Sequence, residues 1–168
     1  MTVVHRSGTF EAFYRSEVVA LATLASALTG NRDTGADLAQ EALLRAYRSW
    51  PTVGAYDRPG AWARRVVLNL ATDARRRRSR EQAALSRVPI DVSTTMPDPA
   101  DDPFWQAVRD LPARQQHTVV LRYVDDLAID EIAEVLDVTS GTVKATLFAA
   151  RNTLARRLHT EEVGDVHD

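Results

Sequence analysis

Residues 127–147, LAIDEIAEVLDVTSGTVKATL, leave the chain little choice of local structure. Ile129, Ile132, Ala133 and Leu136 recur at helical spacing, and Asp130 and Glu131 sit in the first turn, where the helix dipole favours acids. Asp137 stands where the chain must turn sharply, and aspartate tolerates a left-handed backbone better than most residues. Thr139 is a good N-cap for a second helix, in which Val143 and Leu147 face inward at i, i+4. Ala133 is small where the two helices must cross. The outline is a helix-turn-helix, whose second helix can enter a DNA major groove. That helix opens with Ser140, Gly141 and Thr142, whose short side chains leave backbone N–H groups open to a phosphate. It also carries the chain's one lysine, Lys144, and can turn Lys144, Thr146, Phe148 and Arg151 outward. An ordinary pair of core helices is the competing reading. Cap, small residue, turn and basic second helix all fall in register, which favours DNA.

The rest of the 168-residue chain reads as helices separated by loops and one long linker. Phe13, Val18, Leu21, Leu24 and Leu28 predict a first helix over 10–29, which GNRDTG (30–35) breaks. A second helix is expected over 36–50, with Leu38, Ala42, Leu43, Ala46, Tyr47 and Trp50 as its apolar face and Pro51 as its end. PTVGAYDRPG (51–60) reads as a loop, and a third helix over 61–78 becomes strongly basic at its end. Residues 81–103 hold Pro89, Pro97, Pro99 and Pro103 among Asp, Ser and Thr; they predict a mobile linker without regular structure except near its start. A short helix over 104–109 follows. Pro112 suits the first position of the next, over 112–124, and the last helix is expected to end near Leu158. The expected fold is all-α: two small helical domains, 1–80 and 104–158, joined by a flexible linker (81–103) and followed by an acidic tail (159–168).

Charge follows this division. Residues 1–80 hold 13 arginines against 7 acids, whereas 81–103 hold one arginine against 5 acids. Residues 104–158 balance, and the tail has 4 acids with no Lys or Arg. Such segregation marks interaction surfaces although the net charge is only −2. With no cysteine, disulfides, thiol catalysis and Cys-based zinc sites are excluded. The four histidines are scattered, His117 is expected to be a partly exposed helix residue, and no HExxH, GxSxG or P-loop pattern occurs. No enzyme, metal or cofactor is expected. MTVVHRSGTF lacks an apolar signal core and no apolar run is long enough to span a bilayer, so a cytoplasmic protein without membrane insertion is the expectation.

LPARQQHTVVLRYVDDLAIDEIAEVLDVTSGTVKATLFAARNTLARRL (111–158) resembles the C-terminal domain of extracytoplasmic-function sigma factors of bacterial RNA polymerase. DLAQEALLRAYRSW (37–50) and AWARRVVLNLATDARRRR (61–78) resemble their N-terminal domain, in the actinobacterial style of the RRVVLNL segment. The resemblance covers residues 9–158 and implies that the chain joins core polymerase, selects promoters and helps open DNA. It implies contacts with the beta-prime clamp helices and the beta flap, and restraint by an anti-sigma factor. Asp37, Gln40, Glu41, Arg45 and Arg48 would grip the clamp helices; a solvated face with a Glu41–Arg45 pair explains the same residues. Trp62 and Asn69 match positions of the family's pocket for a flipped minus-ten base, and Tyr56, with Val53, lies in the shortened preceding loop. Core packing is the other reading of Trp62. Arg64, Arg65, Arg75, Arg76, Arg77 and Arg78 would hold minus-ten phosphates. Thr142, Lys144, Thr146, Phe148 and Arg151 would meet the minus-thirty-five element. An acidic linker would suit the polymerase's basic RNA exit path, and a solvated tether has the same composition.

Two departures from the family pattern matter. Many relatives read T-V-K-S-R-L-x-R-A-R along the recognition helix, and here Thr146 and Ala149 replace the arginines. Ala128 stands where a Ser or Thr often caps the first helix of the motif, an exchange worth about 1 kcal/mol. A one-component helix-turn-helix regulator is the competing function. It would need a ligand pocket or dimer interface in residues 1–80, against which the arginine-rich third helix argues.

Overall fold

The structure, a computed structural model, describes residues 8–84 and 102–164. These residues form helices and turns, with no strand among them. Most of the predicted linker and the end of the acidic tail lie outside the described residues.

Helix α1 (Phe10–Thr29) starts on Thr9, whose hydroxyl accepts from the Ala12 N–H at 3.2 Å, and stops at Gly30, where φ is 70°. The expected six-residue break is only Gly30 and Asn31. The Asn31 carboxamide accepts from the Thr34 N–H at 2.9 Å and launches α2 (Arg32–Arg48) four residues early. Gly35 therefore lies inside a helix. Its place reflects close approach: a Cβ there would sit 2.5 Å from the Ser26 backbone N and 2.6 Å from its Cα on α1.

Pro51 does not end α2. Ser49 does, and Pro51 falls in the first turn of a separate short helix, α3 (Trp50–Val53), where its missing N–H is not needed. Helix α4 (Pro59–Ala84) is longer at both ends than predicted. Four elements make up the rest: α5 (Pro103–Arg109), α6 (Ala113–Tyr123), α7 (Ile129–Leu136) and α8 (Ser140–Gly164). Pro112 is the N-cap of α6 and not its first residue, and α8 continues beyond Leu158.

Leu21, Leu24, Leu43 and Val67 from the N-terminal helices and Val108, Leu111, Val119, Leu121 and Ile132 from the C-terminal ones are all buried, in one continuous cluster. Each such aliphatic side chain contributes about 1.5–3 kcal/mol by leaving water. The two halves meet where α1 packs on α5 and α6, and where α4 packs on α7. Tyr47, expected on the buried face of α2, is instead 61% exposed. Val135 is buried instead, on the side of α7 that faces α4, and it lines crevices with α4 residues.

Candidate nucleic-acid interface

The helix-turn-helix is built as its residues dictate. Asp137 adopts φ 54° and ψ 50°, and the following Val138 N–H closes on the Ala133 carbonyl at 3.0 Å. The Thr139 hydroxyl accepts from the Thr142 N–H at 3.2 Å, and Ser140 donates to Asp130 at 2.6 Å, tying the start of α8 to the start of α7. Ala128 cannot cap with its side chain. The Glu131 carboxylate instead accepts from the Ala128 N–H at 2.7 Å, so half of a capping box remains.

Val143, Leu147, Ala150 and Leu154 form the buried stripe of α8. About a quarter turn round the helix from them, Lys144, Phe148 and Arg151 are exposed at i, i+4, i+7, and Phe148 at 68% is unusually bare for a phenyl ring. Ala145 and Asn152 are also exposed there and were not among the predicted residues. Thr142 and Thr146 are half-buried on the flank: the Thr142 hydroxyl pairs with that of Thr139, and the Thr146 hydroxyl donates to the Thr142 carbonyl. The Arg151 guanidinium donates to the Tyr123 hydroxyl at 2.9 Å and lies 5.8 Å from that ring's centre, so α6 holds it in place.

On α4 the predicted residues differ in their surroundings. Trp62 is half-buried and packs against the core. Arg64 is turned inward, with 12% of its side chain exposed, between Glu17 at 2.7 Å and Asp125 at 2.5 Å. Burial pulls its pKa down, but the two carboxylates outweigh that and raise it above its ordinary value. Arg65 donates to the Val135 and Glu134 carbonyls, both at 2.9 Å. Asn69 is exposed at the edge of a crevice of about 430 Å³ shared with Arg65, Arg114, His117 and Asp137. Arg75, Arg76, Arg77 and Arg78 are exposed to differing degrees, and the first three line a cleft of about 990 Å³ with Arg80 and Arg157. Tyr56 is 46% exposed in the loop before α4. Sequence reasoning found the basic helix but not the carboxylates that hold Arg64. The spacing of Glu17 and Asp125 along the chain carries no local signal for that meeting.

His117 of α6 faces α4, with Nε2 3.3 Å from the Thr72 hydroxyl. Burial, assisted by the Arg75 charge, lowers its pKa from 6.5 to about 4. A base held neutral this way stabilises the packed state fully above pH 6.5 and loses that contribution as pH falls from there towards 4. The melting temperature is expected to fall between pH 6.5 and 5 in the wild type and to fall less in His117→Gln. Parallel curves from differential scanning fluorimetry would refute the linkage.

On α2, Asp37, Gln40, Arg45 and Arg48 lie on the outer side and Glu41 is half-buried, with the Glu41 carboxylate 2.9 Å from Arg45 and Gln40 donating to the Tyr14 hydroxyl at 3.1 Å. Leu44 at 41% exposed and Tyr47 at 61% are apolar surface on the same helix. No helix among the described residues is long and apolar enough to cross a membrane, and no group of acidic or histidine side chains among them could hold a metal.

Residues 13–81 match the family model for sigma-70 region 2, and residues 101–154 match the model for sigma-70 region 4. The chain is 30% identical over 156 residues to the RNA polymerase sigma-E factor of Streptomyces avermitilis, covering 92% of this chain and 87% of that protein. It is 27% identical over 147 residues to the ECF RNA polymerase sigma factor SigW of Bacillus subtilis, covering 78% and 79%. Among solved structures, the sigma factor RpoE in complex with the anti-sigma factor NepR from Bartonella quintana superposes with a TM-score of 0.68. That match has 24% identity and covers 89% of this chain and 96% of that one, and it bears on the fold alone. A helix-turn-helix and a basic helix, each within its matching region, together with these relatives place the chain in the extracytoplasmic-function type of the sigma-70 family of RNA polymerase sigma factors.

Proposed function

We propose that this sigma factor, which directs promoter-specific transcription initiation, divides the work among three surfaces. The α2 residues Asp37, Gln40, Glu41, Arg45 and Arg48 dock on core polymerase, with Leu44 and Tyr47 adding apolar area. Trp62, Asn69 and the arginines of α4, with Tyr56 beside them, engage the minus-ten DNA as it opens. The Lys144–Phe148–Arg151 stripe of α8 enters the major groove at the minus-thirty-five element, with Thr142 and Thr146 meeting the same element from across the helix. The domains are residues 1–80 and 104–158, and the protein acts in the cytoplasm. An anti-sigma factor restrains it, as the complexes of RpoE with NepR and of CnrH with the cytosolic domain of CnrY suggest. Catalysis belongs to the polymerase.

The observation that carries this reading is the exposed basic-aromatic stripe of α8 beside a buried one, since a helix anchored along one face with such a face left bare next to it is shaped for a groove. Run-off transcription with core polymerase on genomic fragments tests it. Discrete transcripts that depend on this protein are expected, and none from inhibitor-free protein would end the proposal.

The missing recognition-helix arginines give a second check. Thr146→Arg with Ala149→Arg should steepen the salt dependence of promoter binding by about 0.9 logarithmic units for each further phosphate that the helix neutralises. An unchanged slope would show that this flank of α8 does not reach the backbone.

A further inference from the structure

Arg151 ends the exposed stripe of α8, and the side chain that fixes it comes from another helix. Both Nε and Nη2 of its guanidinium donate to the hydroxyl of Tyr123, the last residue of α6. Tyr123 is 53% exposed, and no carboxylate among the described residues pairs with Arg151. An exposed pair of this kind adds little to stability. What it does is fix the direction of a charge that would otherwise swing freely. The hydroxyl oxygen accepts two bonds from one edge of the guanidinium, so its own proton is directed away from Arg151. With Nε committed, the guanidinium keeps its Nη1–Nη2 edge open, the fork that matches two phosphate oxygens. A hydroxyl that accepts from a cation is also a stronger donor.

Length decides what these donors meet. Arg151 lies eleven residues beyond Ser140, the start of α8, which is about 16 Å along the helix axis. The major groove is about 12 Å wide, and a recognition helix reads base edges with its first turns. With the start of α8 in the groove, Arg151 is past the base edges and at the lip, where phosphate oxygens are the nearest acceptors. Lys144, two turns earlier, stays over the bases.

We propose that Tyr123 and Arg151 together clamp one DNA phosphate at the far lip of the minus-thirty-five groove, which makes the end of α6 part of the DNA-binding surface. The inference rests on the assignment of α8 to that groove. Within it, Arg151 sets the register of the helix on the duplex and does not read sequence, and Tyr123 both orients Arg151 and supplies a donor of its own.

Tyr123→Phe removes only the hydroxyl of an exposed pair, so the melting temperature is expected to stay within about a degree of wild type. Holoenzyme assembled from core polymerase and the full-length chain is then tested on a promoter fragment mapped by run-off transcription. Single methylphosphonates, which carry no charge, are placed in turn along both strands of the minus-thirty-five element. In wild type one of them is expected to weaken binding by about 10-fold. That penalty is expected to shrink to about 3-fold in Tyr123→Phe and to vanish in Arg151→Ala. Penalties for exchanging minus-thirty-five base pairs are expected to be the same in all three proteins. A purely structural role for Tyr123 would leave the phosphate pattern unmoved. Wild-type methylphosphonate penalties in Tyr123→Phe, or a changed preference at one base pair in their place, would overturn the proposal. If wild-type holoenzyme selects no promoter, the reading of function fails, and the free chain on a mixed-sequence duplex of about 20 base pairs decides on the clamp. There Tyr123→Phe is expected to bind about 3-fold more weakly than wild type, and equal affinity would overturn the proposal.

Discussion

Gly35→Ala lowers stability by about 2 kcal/mol or more and the melting temperature by roughly 4–8 °C. Helix propensity alone argues the opposite sign, since alanine inside a helix gains up to about 1 kcal/mol over glycine. Geometry decides against propensity. The new Cβ would lie 2.5 Å from the Ser26 nitrogen and 2.6 Å from its Cα, and neither backbone atom can rotate away. Helices α1 and α2, which pack along much of their length, must separate, loosening Leu21, Leu24, Ala25, Ala39 and Leu43 together. Urea denaturation measures the loss, and a stabilised variant would show that the two helices do not cross at this point.

Asp37→Arg combined with Glu41→Arg weakens binding to core polymerase by about 30-fold or more, the effect of removing an interface hot spot of about 2 kcal/mol. The folded chain hardly registers the change. Asp37 is exposed, and the substitution at Glu41 breaks its pair with Arg45 at 2.9 Å, which is half open to solvent and worth at most about 0.5 kcal/mol. The melting temperature therefore stays within about a degree or two of the wild type. Competition against a labelled sigma factor for core polymerase reads the affinity. Undiminished binding would remove the polar face of α2 from the docking surface.

Local chemistry is legible in this chain, and long-range pairing is not. Asp137 and Thr139 announced their turn and cap because each acts on backbone groups within a few residues, and both sit as expected. GNRDTG misled because Asn, Asp and Gly break helices in one setting and start or pack them in another; Asn31 caps, and Gly35 admits α1. Tyr47 shows the limit of periodicity. Its spacing matches a buried face, but α1 and α4 cover only part of α2. The arginines of α4 are alike in sequence, so burial of Arg64 depends on an aspartate 61 residues away that local pattern does not connect to it. Val135 is the same lesson in apolar form. It lies off the predicted stripe of α7, and its neighbours include residues from the other half of the molecule.

The Arg65 contact bears on how this protein can be studied in pieces. The Val135 and Glu134 carbonyls belong to the last turn of α7, immediately before the sharp bend at Asp137, and their donor comes from the N-terminal half. A severed C-terminal fragment would hand the Val135 carbonyl to water and leave the Glu134 carbonyl with only the Asp137 N–H of its own turn. Its bend would fray more readily, and affinities measured on the fragment would report a looser reading head than the intact chain carries.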